Sequence, residues 1–205
     1  MYATLVDSPL GFFGIVWSPR GLGRVLLPLL DDPSGEGMQR ALSKLAPVRA
    51  PDALGAAWAE RLTAHLEGED VRYDDLVLDE AGLSPFARRV YAAARASPRG
   101  ATVTDARLAE SVGTGAVRAV GGALGKNPTP IVVPCHRIVS STGAGGFSAP
   151  GGLSTKAQLL AAKGNKKEAL PLAQKAADLG AQTPDRFFFE KDVKAALTEW
   201  KTASK

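Results

Sequence analysis

Between Pro130 and Pro134 stands a run of three β-branched residues, Ile131-Val132-Val133, and directly after it comes the single cysteine of the chain, Cys135. Apolar β-branched residues favour extended, buried backbone, and the flanking prolines lack the amides that would let a hydrogen-bonded ladder continue. The pattern predicts a short buried strand that stops abruptly and presents Cys135 at its end. A cysteine there becomes a nucleophile only if its thiolate is populated, and an adjacent imidazole, here His136, is a common means to that end. Strand neighbours point to opposite faces, so Cys135 and His136 can cooperate only if the chain turns or a water bridges them. In isolation such a pair is more often a small core residue beside a surface one.

One cysteine in 205 residues excludes an internal disulfide framework and fits a reducing compartment. With only His65 and His136 to accompany it, a closed structural metal site is not expected. No apolar stretch is long enough to span a membrane, and the first residues lack the basic start of a secretory signal. Charge is unevenly placed: residues 1–83 carry 7 Lys and Arg against 13 Asp and Glu, residues 84–164 carry 10 against 2, and residues 165–205 carry 8 against 6. The basic middle is where a polyanion would bind, although a positive segment is often only a solvated face.

In chain order, β-formers and turn signals predict short antiparallel strands over 4–6, 11–17 and 22–27. Apolar spacing predicts helices over 38–45 and 53–66, with Trp58, Leu62 and Leu66 on one stripe and His65 a structural or exposed neighbour. A further strand is expected over 73–78, and residues 79–83 read as a linker. Ser84 then caps a helix with Pro85 at its first position, and Phe86, Val90 and Ala93 or Ala94 form its buried stripe. Thr104 caps a second helix over 105–111. Gly113-Thr114-Gly115 turns the chain into a third, over 116–124, and the pair has the form of a helix-turn-helix. That third helix is built from Ala116, Ala119, Gly121, Gly122 and Ala123, with Arg118 as its long cation. Glycine costs a helix roughly 1 kcal/mol relative to alanine, so the small residues call for a close approach, by another part of the protein or by another molecule.

The ordered motifs Arg118-Ala119-Val120-Gly121-Gly122-Ala123, Asn127-Pro128 and Pro134-Cys135-His136-Arg137 resemble those of the O6-alkylguanine-DNA alkyltransferase family, over about Ser84 to Gly164. The resemblance implies an α/β N-terminal domain (1–83) and a mainly α DNA-binding and active-site domain with a helix-turn-helix (84–164). Residues 165–205 extend past the usual end, and their apolar positions predict a helical extension docked on the core or a partner. The implied reaction moves an alkyl group from guanine O6 in double-stranded DNA to Cys135, irreversibly and without a cofactor. His136 would take the thiol proton. Arg118 would fill the gap left by a flipped nucleotide, with Ala119, Gly122, Thr104 and Asp105 at the minor groove. Asn127 would hinge the recognition helix to the active-site turn. Pro130, Ile138, Phe147, Ser148, Ala149 and Pro150 would line the substrate pocket. A monomer in the cytoplasm, associated with a bacterial nucleoid, is expected.

Two positions depart from the family pattern. Lys163 stands where a glutamate orients the histidine, and an ammonium cannot accept the imidazole N–H. A lysine near the site would instead stabilise the thiolate directly, or another carboxylate would take the glutamate's place. Asp105 stands where tyrosine is common, and an ionised carboxylate repels phosphate but donates no hydrogen bond; it also suits a helix start. Two other functions stay open: a protein that binds alkylated lesions without transfer, although family members of that kind lack the cysteine, and a regulator that senses alkylation.

Overall fold

Alternation of side chains along residues 13–17 gives the first half of the chain its layers. The computed structural model describes residues 1–28, 32–97 and 101–140, together with Gly152, Lys156, Ala157, Leu159 and Gln174. Strands β1 (Tyr2–Val6), β2 (Phe13–Ser18) and β3 (Gly21–Leu26) form an antiparallel meander in that order. Every residue of the central strand is buried, so both faces of the sheet are covered. Phe13, Ile15 and Trp17 meet Trp58, Leu62 and Leu66 of helix α2 (Ala53–Leu66). Val16, on the other face, joins Ala3 with Met38 and Leu42 of helix α1 (Glu36–Ser43). The β2–β3 turn depends on Gly21, whose φ is 139° and whose added Cβ would lie 2.5 Å from the Val77 carbonyl oxygen. His65 is a core residue, 2% exposed and packed on the Tyr73 ring.

The segment 73–78 departs from expectation, because it makes a single bridge, Leu22 to Leu78, and no strand. Asp74 and Asp75 take the chain through a turn closed by the Leu76 amide on the Tyr73 carbonyl. Arginines then do what a partner strand would have done. Arg95 donates to the carbonyls of Tyr73 and Leu76 at 2.6 and 3.0 Å, and Arg61 binds Asp75 and the Arg72 carbonyl.

Helix α3 (Pro85–Arg95) starts where its capping signal places it, with the Ala87 amide donating to the Ser84 hydroxyl. Strand β4 (Val103–Thr104) leads directly into helix α4 (Asp105–Ser111), where Thr104 accepts from the Arg107 amide. Gly113, at φ 72°, turns the chain towards helix α5 (Val117–Gly125). Val90, Tyr91, Ala94, Leu108, Ala109 and Val120 from the three helices share a core with Val133 and Ile138.

The run Ile131-Val132-Val133 is a turn and not the expected strand. The Val133 amide donates back to the Thr129 carbonyl at 2.9 Å, and Ile131 sits at φ 75°. That region is a strained one for a β-branched residue, held only where surroundings over-determine it. Here Ile131 and Val132 are buried in the core of the N-terminal sheet and Val133 in the core of the helices. The Val25 amide of β3 also binds the Pro128 carbonyl at 2.8 Å. Extended pairing comes after the cysteine: β5 (Ile138–Val139) lies parallel to β4. The expected positions Phe147, Ser148, Ala149, Pro150 and Lys163, and the extension over 165–205 apart from Gln174, fall outside the described residues. No helix among the described residues is long and apolar enough to cross a membrane.

Candidate active site

Cys135 opens a single 3₁₀ turn, Cys135–Arg137, between the strained loop and β5. Its amide donates to the Val133 carbonyl at 2.8 Å, which tightens the bend and solves the geometric problem of a strand. The residue keeps a partly exposed surface, while His136 and Arg137 are buried at 0% and 6% exposure. Thiol and imidazole therefore share one turn.

Asn127, just past the end of α5, is joined to this turn and to the loop before it by three hydrogen bonds. Its Nδ2 donates to the Val133 carbonyl at 2.9 Å and to Cys135 Sγ at 3.2 Å, and its Oδ1 accepts from the Thr129 amide at 3.0 Å. One amide thus ties helix, loop and sulfur together. Burial pushes the Cys135 thiol above its ordinary pKa; the Asn127 amide, the Lys156 ammonium and the backbone amides of Cys135 and His136 pull the other way. From α3, the Tyr91 hydroxyl donates to the Ala123 carbonyl of α5 at 2.9 Å, and burial and the sulfur's charge together raise its pKa.

Lys156 is the site residue that sequence reasoning missed. It is 1% exposed, and its Nζ donates to the Ile138 carbonyl at 2.8 Å. The expected lysine near the thiol was Lys163; among the described residues it is Lys156 that acts on the sulfur. A signal was present, since Lys156 precedes buried Leu159 by three positions and so shares its helical face. Burial lowers the Lys156 pKa, and the charges of Cys135 and Asp105 work to restore it.

Arg118, Ala119 and Gly122 lie exposed on α5, opposite buried Val120. Among the described residues nothing approaches within 4 Å of a Cβ added at Gly121 or Gly122. Packing among the described residues does not explain these glycines. Thr104 and Asp105 are partly exposed at the head of α4, where the Ala106 amide donates to Asp105 Oδ1. Pro130 is partly buried and bridged to Val133, whereas Ile138 is 5% exposed within the helical core. Among the described residues no group of three His, Cys, Asp or Glu could hold a metal ion.

A family model, the DNA-binding domain of 6-O-methylguanine DNA methyltransferase, matches residues 85–165. A methylated-DNA–protein-cysteine methyltransferase of Methanothermobacter thermautotrophicus is 34% identical over 157 residues, which span 76% of this chain and 81% of the relative. The chain belongs to the 6-O-methylguanine DNA methyltransferase family. A second relative, from Thermus thermophilus, is named a DNA base-flipping protein and is 38% identical over 67% of this chain and 92% of its own length. Among solved structures, Mycobacterium tuberculosis OGT in complex with DNA superposes with a TM-score of 0.63, 28% identity and coverage of 84% of this chain and 99% of that one. A small sheet followed by packed helices is thus a methyltransferase architecture, and Cys135, Asn127 and the bare face of α5 all lie in or beside the matched segment.

Proposed function

We propose that this methyltransferase repairs DNA by transferring the alkyl group of an O6-alkylguanine to Sγ of Cys135, once per molecule. The observation that carries the reading is the Asn127 amide donating to Cys135 Sγ at 3.2 Å, at the point where α5 meets the cysteine turn. In the reaction a bond forms between sulfur and the alkyl carbon as the bond from that carbon to O6 breaks. The electron pair passes to the purine, and the proton lost by the thiol is the one the guanine regains, so no cofactor enters the balance. His136, buried in the same turn, is the relay for that proton. A thioether is a poor leaving group, so the protein is consumed.

Access to O6 of a stacked guanine requires the nucleotide to leave the helix, at a cost of a few kcal/mol. The small, unpacked face of α5 suits the narrow minor groove, and Arg118 on that face occupies the vacated stack. Thr104 and Asp105 meet the adjacent backbone. The DNA complex of the Mycobacterium tuberculosis relative and the base-flipping name of the Thermus relative support this arrangement. Incubation with duplex DNA containing O6-benzylguanine, followed by intact-protein mass measurement, tests it. A benzyl adduct on Cys135 that is lost in Cys135→Ser is expected; tight binding without an adduct would make the protein a lesion recogniser only.

A further inference from the structure

A lysine as enclosed as Lys156 stays charged only if its neighbours hold the charge. The Ile138 carbonyl satisfies one of its three N–H groups but brings no negative charge. The strand pair fixes what else lies near. Strand β5 begins at Ile138, immediately after the Cys135 turn, and runs parallel to β4 with Val103 opposite Ile138 and Thr104 opposite Val139. Asp105 is the next residue, the first of α4. By bonding to Ile138, Lys156 is fixed to the strand pair that links the cysteine turn to the head of α4.

We propose that Asp105 and Lys156 act as a coupled pair that sets the reactivity of Cys135, the carboxylate keeping the lysine protonated and the ammonium keeping the sulfur a thiolate. This rests on Cys135 being the alkyl acceptor. Asp105 is then a positioning residue that works through Lys156, beyond any contact it makes with DNA. The charges acting on Lys156 agree with this, since those of Cys135 and Asp105 both favour its ammonium. The sulfur is also faced by Tyr91 of α3, by Asn127 after α5 and by the amides of its own turn, all uncharged at neutral pH. His136 and the buried cation Arg137 are the other titratable groups of that turn, and neither is altered in the variants below.

The sign follows from burial. Without the Asp105 charge, burial strips the proton from Lys156 at lower pH, the thiolate loses its cation, and the thiol midpoint moves up. The rate of Cys135 modification by iodoacetamide, a neutral reagent, measured against pH, reads that midpoint. Lys156→Gln should raise it by about one unit or more and Asp105→Asn by less. In the Lys156→Gln background, Asp105→Asn should raise it no further. Lys156→Arg cannot be neutralised, so it should keep the midpoint of the unmodified protein and no longer respond to Asp105→Asn. These arginine variants and the Asp105→Asn single variant decide the matter even if Lys156→Gln fails to fold. An unmoved midpoint in Asp105→Asn, or an equal shift with and without Lys156, would overturn the coupling. The same unmodified protein is exposed to O6-benzylguanine duplex. Failure to form the adduct refutes the repair reading, while the iodoacetamide midpoints still report on the pair.

Discussion

Asn127 makes three bonds with one side chain, and its removal should be felt in both stability and reactivity. Asn127→Ala leaves the Thr129 amide without its Asn127 acceptor and the Val133 carbonyl with the Cys135 amide alone, at a cost of about 1–3 kcal/mol in denaturant unfolding. It also removes a donor that favours the thiolate, so the alkylation midpoint should rise. Arg118→Lys keeps the charge but loses the planar face. Transfer from duplex DNA should slow roughly fivefold, for a stacking loss on the order of 1 kcal/mol, with the free O6-benzylguanine base little affected. Equal losses on both substrates would remove Arg118 from the flipping step. The pairing of Asn127 with Cys135 was legible in the sequence because their motif is local. Lys156 was not, because only the fold brings a lysine twenty-one positions downstream of Cys135 back onto Ile138. Ile131 at positive φ was equally hidden, since a β-branched run argues for extension until two cores claim its side chains separately.

Among the elements, α5 makes stability and function pull apart. Gly121→Ala and Gly122→Ala add a Cβ into open space on an exposed helix, so each should stabilise the fold by roughly 0.5–1 kcal/mol. If α5 docks in the minor groove as proposed, each should nevertheless weaken binding to duplex DNA, measured by fluorescence anisotropy, because the added methyl would meet the groove wall. The β2–β3 hairpin is latched to the start of the 79–83 segment by Asp79, which accepts from Ser18 and Arg20. The Arg20 hydrogen bond, then that from Ser18, lowers the Asp79 carboxyl from 3.8 to about 2. The folded pKa is depressed, so this stabilisation is present above the unfolded value and disappears as pH falls through about 2. Asp79→Asn should lower the melting temperature by roughly 2–4 °C at pH 7, in line with an ion pair worth about 1 kcal/mol or less, and the two proteins should converge near pH 2. Helix starts at Ser84 and Thr104 were legible because a cap is a short-range signal. The loop over 73–78 misled because Arg95 satisfies the Tyr73 and Leu76 carbonyls and Arg61 holds the Asp75 carboxylate, side chains of two distant helices.

For the molecule as a whole, the acidic first 83 residues and the basic stretch that follows give it two electrical halves. Association with duplex DNA should therefore weaken linearly in log salt, and neutralising exposed Arg107 or Lys126 should reduce that slope by about one where the side chain meets a phosphate. The acidic half is no passive counterweight. Through Val25 on Pro128, and through Ile131 and Val132 in its core, it holds the loop that bends Cys135 into place. The stretch shared most plainly with the DNA-binding family model begins at residue 85, so it leaves out half of the mould in which its own reactive loop is cast. A fragment trimmed to that stretch would keep every residue of the chemistry and lose the wall that shapes it.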